Sequence, residues 1–304
     1  MRSDVHKKFI LTPIVEILQD AVNACKGIGQ GMETQSLGEY VLQTTFLKMT
    51  GAQEQKLKCI CWEMATYDYG YRYLYLKKNY GECSAYSDKS SIYKDLTEMV
   101  RKMNKDFDVD MLFEDVDIKP RKGELIAQKI KEALRNQEKK KKRKLTDEEA
   151  EKMAAGMTAY YERNGLCQKE KLAFKRRVLF LEVQKKIESI IGGTLAAQWE
   201  EHNYLNFTTL WKDLSKWNYA AGDMLLSKEL QSFYTTYVFE HRNKCAHNLV
   251  SVQKNLPTLK TLEDEGFVYD NYYFRFAMLV LLDEVFMRLY KQYMGAMENR
   301  VESW

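Results

Sequence analysis

The segment Leu57-Lys58-Cys59-Ile60-Cys61-Trp62-Glu63-Met64-Ala65-Thr66-Tyr67 places apolar side chains at helical spacing. Leu57, Ile60, Cys61 and Met64 stand at positions i, i+3, i+4 and i+7, which is the pattern of a helix that buries one face. In the next segment, 67–75, every second residue is tyrosine, an alternation that is typical of a strand. Its flanks are helical, however, and no partner strand lies nearby in the sequence. We therefore expect helix over residues 52–78.

Helical patterns extend along the rest of the chain, with few residues that break them. Proline and glycine number only 3 and 15 among 304 residues, too few for a hairpin-rich fold, and no two segments resemble strands joined by a two-residue turn. The predicted fold class is all-α. Further helices are expected at 13–27, 36–51, 91–105, 123–144, 147–163, 168–191, 195–217, 227–246 and 270–300, with an irregular segment at 249–268.

The clearest discontinuity is the basic run Lys139-Lys140-Lys141-Lys142-Arg143-Lys144. Thr146 and Glu149 follow it with the spacing of a capping box, so a new helix is expected to begin at once. We predict a boundary near residue 145 between two helical units. The first, 1–145, would regulate or bind a partner, and the second, 146–304, would carry the functional motif described below.

Charge is abundant but nearly balanced, with a net charge of +4, and hydrophobic residues at 45% provide ample material for a core. The segment 119–144 carries an excess of +9, which leaves −5 for the rest of the chain. Two interpretations of this segment stay open. It forms either a solvated helix face that leads to a junction, or a surface for RNA phosphates assisted by Arg176 and Arg177.

The sequence predicts a cytoplasmic protein without metal or cofactor. Six cysteines are scattered, and Cys59 and Cys61 would face opposite sides of a helix, so they could not share a metal ion. The acidic stretch at 106–117 lacks the glycine and the final glutamate of a calcium loop. Early acidic residues exclude a signal peptide, and the longest apolar stretch, Phe276–Leu282, is too short for a membrane span.

The most informative motif is Glu240-His241-Arg242-Asn243-Lys244-Cys245-Ala246-His247-Asn248, which ends an aromatic-rich helix. Asn243 and His247 are four residues apart, so the amide could orient the imidazole. Arg242 lies about 140° from His247 around the axis, but its long side chain can reach a shared phosphate. Arginine stabilises charge on a pentacovalent phosphate, and histidine moves protons near neutral pH.

Arg242-Asn243-x3-His247 resembles the R-x4-6-H motif of HEPN domains (higher eukaryotes and prokaryotes nucleotide-binding), and the likeness covers roughly residues 165–300. The resemblance implies a metal-independent endoribonuclease in which the RNA 2′-hydroxyl attacks its own phosphate and leaves a 2′,3′-cyclic phosphate. His247 would be the general acid or base, Arg242 the phosphate clamp and Asn243 an orienting group. Lys244 and Asn248 are candidate RNA contacts, as are the six residues of the basic run. His241 is expected to pack, and His6 and His202 to be bystanders.

One histidine per motif predicts a homodimer, because acid and base roles on opposite sides of one phosphate need two proton-transfer groups. The family context implies phage defence, abortive infection or a toxin, with an antitoxin or a defence-complex partner. The alternative is a non-catalytic HEPN-type helical subunit that binds RNA or protein within a defence complex.

Overall fold

The computed structural model describes residues 2–28, 34–77, 82–118, 122–191, 219–220, 222–247 and 271–302. Every regular element in these ranges is helical and none is a strand, so the all-α prediction is confirmed. Within these ranges no helix has the length and apolar character needed to cross a bilayer. The helix predicted at 195–217, the irregular segment at 249–268, His202 and Asn248 lie outside the described residues.

The helices are α1 Arg2–Leu11, α2 Val15–Ala24, α3 Gln35–Tyr67, α4 Tyr69–Lys77, α5 Tyr86–Met103, α6 Lys122–Lys141, α7 Asp147–Asn164, α8 Gln168–Ile191, α9 Lys228–Phe233, α10 Glu240–Ala246 and α11 Tyr272–Glu302. A 3₁₀ turn, Val109–Phe113, follows α5, and a π-helical turn, Tyr234–Phe239, joins α9 to α10.

The chain divides into two compact units that differ from the predicted division. One unit combines Met1–Leu112 with Phe180–Trp304, and the other is Phe113–Leu179. Residue 145 falls inside the second unit because α6, whose last turn begins the basic run, packs against α7, which follows it. The expected capping box of Thr146 and Glu149 does begin α7. As an assignment of roles, the division into 1–145 and 146–304 stays a prediction.

The core of the larger unit lies where α11 packs against α3 and α5. Lys56 of α3 and Asp283 of α11 form a buried ion pair, with 2.6 Å between Nζ and Oδ1. The other oxygen of Asp283 accepts the backbone N–H of Ile14 at 2.9 Å. A residue distant in sequence therefore caps α2. Thr12, which precedes the helix predicted at 13–27, does not cap it and donates its hydroxyl to the carbonyl of Lys8 in α1.

Helix α3 is longer than predicted and continues through Gly51, where the sequence indicated an end. The helix continues because Met49 and Leu57, on either side of Gly51, share its buried face. The helix ends at Tyr67. The next residue, Asp68, has an extended backbone, and its carboxylate accepts the N–H of Tyr71 at 2.7 Å. This contact starts α4, so the alternating tyrosine segment is helical as predicted.

Candidate functional site

Residues 240–246 of the motif lie on one continuous helix formed by α9, the π turn and α10. Ser227 caps its start by accepting the N–H of Leu230 at 3.3 Å. A π turn contains an additional residue and is frequent at functional sites. That residue rotates the following side chains by about 100° relative to an uninterrupted α-helix. The turn immediately precedes Glu240, and therefore sets the direction in which the motif side chains point.

Arg242 is held from two directions. Its Nη2 donates to Oε2 of Glu54 on α3 at 3.1 Å, and its Nη1 donates to Oδ1 of Asn243 at 3.3 Å. The side chain of Glu54 is 12% exposed and that of Arg242 is 25% exposed. Within the described residues these contacts use two of the five N–H donors of the guanidinium. The contacts with Glu54 and Asn243 therefore fix the position of the Arg242 guanidinium, while its other N–H donors and a quarter of the side-chain surface stay available to solvent or a ligand.

His247 ends α10 and is exposed. Its backbone N–H donates to the carbonyl of Asn243 at 3.1 Å, and its ring has no hydrogen-bond partner among the described residues. The Asn243 amide, which was expected to orient this imidazole, instead contacts Arg242. Asn243 thus connects the two predicted catalytic residues, through its side chain to Arg242 and through its backbone to His247. Lys244 is exposed on the same turn.

His241 is the packed histidine of the motif, as expected. Its ring lies 5.4 Å from that of Phe46 and 5.5 Å from that of Tyr272, measured between centroids. Its Nε2 is 3.3 Å from the hydroxyl of Tyr272 and 3.4 Å from the sulfur of Cys245. Burial lowers the pKa of His241 to about 2, with smaller contributions from positive charges nearby. The ring is therefore neutral across the physiological range.

Glu54 and Lys89 belong to the site but were missed by sequence reasoning. Lys89 of α5 is only 1% exposed, and its ammonium donates to the carbonyl of Cys83 at 2.7 Å. Burial lowers the pKa of Lys89 to about 8, while the nearby charge of Glu54 acts in the opposite direction. One signal was present: Glu54 occupies the same helical stripe as Leu57 and Cys61, a core-facing position for a charge.

All six residues of the basic run are exposed, but their charge is partly neutralised. Arg143 contacts both carboxylate oxygens of Glu149, at 2.8 and 2.9 Å, and Lys141 contacts one of them at 2.9 Å. These hydrogen bonds lower the pKa of Glu149 well below its usual range. Arg176, expected to assist this surface, is buried instead, with its guanidinium 5.1 Å from the ring of Phe113.

Comparisons with known proteins identify no relative: no protein-family model, curated protein or solved structure matches the chain. In the part of the chain that the structure describes, no group of three or more His, Cys, Asp or Glu side chains is arranged to hold a metal ion. Inferences about function therefore depend on the residues of the site.

Proposed function

We propose that the chain is a metal-independent endoribonuclease of HEPN type, acting in phage defence or as a toxin. The observation that carries this proposal is the pairing of a fixed arginine with an exposed histidine at the C-terminal end of the same helix. Arg242 is held by Glu54 and Asn243, while the exposed His247 ring lies one turn further along. An arginine with unused donors suits a phosphate, and an exposed imidazole suits proton transfer.

The proposed reaction is an internal transesterification. The 2′-oxygen of the RNA forms a bond to phosphorus while the bond from phosphorus to the 5′-oxygen breaks. A base takes the proton of the 2′-hydroxyl and an acid donates a proton to the 5′-oxygen, so the products are a 2′,3′-cyclic phosphate and a 5′-hydroxyl. Arg242 stabilises the charge that accumulates on the phosphate oxygens in the transition state.

The acid and the base act on opposite sides of the phosphorus, and the motif contains one candidate histidine for these roles. We therefore place the active site at a two-fold axis, where His247 of each copy supplies one of the two roles. The exposure of His247 supports this arrangement, because a ring at the surface can meet its counterpart.

The alternative is a non-catalytic HEPN-type subunit that binds RNA or protein. The ion pair of Arg242 with Glu54 favours this alternative, because a contact between α10 and α3 gives the arginine a role in folding. In that case Arg242 would be needed for stability and not for cleavage.

The test uses His247→Gln and Arg242→Lys. The first removes an exposed ring, and the second keeps a positive charge beside Glu54 while losing the planar guanidinium. We expect both variants to fold and to lose RNA cleavage. RNA ends sequenced from cells that express the wild type should carry cyclic phosphates that are absent with either variant. Full activity in both variants would exclude the nuclease.

A further inference from the structure

Helix α4 presents an aromatic and basic face to solvent. Tyr69, Tyr73 and Leu76 are 82%, 56% and 78% exposed, and Arg72 and Lys77 are exposed beside them. These five positions, which we call the α4 stripe, follow the spacing that normally marks the buried side of a helix. Here the stripe faces outward, so α4 carries large apolar groups on a side that the described residues leave exposed.

The opposite side of α4 accounts for its attachment to α3. Tyr71 is buried and contacts Cys61, and its ring stacks on that of Tyr75 at 6.0 Å. Arg72, a member of the stripe, adds a contact to α3 by donating through Nε to the carbonyl of Ala65 at 2.8 Å. Since these contacts attach α4 to α3, the exposed tyrosines are held on a fixed helix.

We propose that the α4 stripe binds single-stranded RNA by stacking bases on Tyr69 and Tyr73. Exposed aromatic rings beside cations are the usual surface for single strands, because every base has a face that can stack. Residues 69–77 contain Arg72 and Lys77 and no carboxylate, so their charge complements phosphates. The ammonium of Lys77 lies over one face of the Tyr73 ring, 4.3 Å from its centroid, so a base would stack on the opposite face with a cation close by.

The position of the stripe connects it to the proposed active site, and this part of the inference rests on the proposed function. Cys61, which contacts α4, lies seven residues along α3 from Glu54, the partner of Arg242. At 1.5 Å per residue this is about 10 Å, or roughly three stacked nucleotides at 3.4 Å each. This rise separates the two contacts along the axis of α3, and we place on the stripe bases that flank the phosphate cleaved at Arg242.

The experiment measures RNA binding separately from cleavage. Protein carrying His247→Ala is titrated, by fluorescence anisotropy, into labelled oligouridine and into an RNA duplex of equal length. Adding Tyr69→Ala and Tyr73→Ala should weaken oligouridine binding by about 30-fold, as expected for two base–aromatic contacts at the lower end of their usual strength. Duplex binding should not change, because paired bases are not available to the tyrosines.

Two controls separate stacking from other effects. Tyr69→Phe with Tyr73→Phe keeps the rings and should retain the affinity for oligouridine. Tyr160→Ala removes a similarly exposed tyrosine from α7 and should change nothing. Unchanged oligouridine binding in the Tyr69→Ala, Tyr73→Ala protein would overturn the proposal, as would an equal loss for the duplex. A change of oligomeric state without loss of RNA binding would also overturn it, and would assign the stripe to a protein interface.

The outcome is independent of the nuclease proposal. If the wild type cleaves RNA and the alanine variants bind RNA normally, the proposal of base stacking on the α4 stripe is wrong and the nuclease proposal is unaffected. If the wild type fails to cleave RNA but the alanine variants lose oligouridine binding, the nuclease proposal is wrong and the proposal of base stacking on the α4 stripe is supported.

Discussion

His241 should make the protein unstable in acid, and His241→Gln should remove that effect. The ring lies against Phe46 and Tyr272, and burial lowers its pKa to about 2. In the unfolded chain the same group titrates near pH 6.5. Below that pH the unfolded state binds a proton that the folded state excludes, so the free energy of unfolding falls as the pH falls.

The size of the effect follows from the difference between the two pKa values. Each pH unit between 6.5 and about 2 lowers the free energy of unfolding by up to about 1.4 kcal/mol. This value is an upper limit, because the ring keeps some exposure to solvent. At about pH 4.5 the loss reaches roughly 2.7 kcal/mol. Carboxylates contribute equally to wild type and variant. The difference in unfolding free energy between the two proteins therefore isolates the histidine.

Urea unfolding followed by circular dichroism between about pH 7.5 and pH 4.5 measures that difference. His241→Gln should be less stable than wild type at neutral pH, since it loses the ring contacts. The difference in unfolding free energy between wild type and His241→Gln should stay constant above pH 6.5 and decrease as the pH falls below it. A gap that stays constant down to pH 4.5 would refute the role of burial. His247→Gln, on the same helix, is the matched control, and a similar closing of the gap there would exclude a specific effect of His241.

Three further predictions concern charged groups. Lys56→Met leaves the buried Asp283 without its ion-pair partner and should cost about 3–5 kcal/mol in urea unfolding, while addition of Asp283→Asn should recover more than half. Arg242→Ala leaves Glu54 unpaired and should cost about 1–3 kcal/mol, which Glu54→Gln in the same chain should largely restore in thermal melts. Replacing residues 139–144 by glutamine should weaken RNA binding. The slope of the logarithm of the binding constant against the logarithm of the salt concentration should fall by about 0.7 for each phosphate that the run no longer neutralises. An unchanged slope would favour the interpretation of this run as a solvated helix face that leads to a junction.

Local patterns predicted most of the helices. The capping box at Thr146 begins α7, and the predicted 168–191 coincides with α8. The errors occur where a tertiary contact replaces a local signal. Asp283 caps α2 although it lies 269 residues from Ile14, and α3 continues through Gly51 because its buried face extends on both sides. A glycine or a threonine indicates a helix end only when no distant packing opposes it.

The candidate site was predicted in part. Arg242, Asn243 and His247 were identified from their spacing, and the packing of His241 was expected. Glu54 was missed because it is 188 residues from Arg242 and glutamate is usual on helix surfaces.

The sequence by itself determined that the chain is helical and that Arg242 lies on a helix with His247 at its end, because both follow from spacing over a few residues. Tertiary structure decided which groups these residues meet. The π turn after α9 and the packing of α10 on α3 place Glu54 against Arg242 while leaving His247 exposed. Spacing specifies an angle around one axis, whereas a contact between helices depends on how the whole core packs.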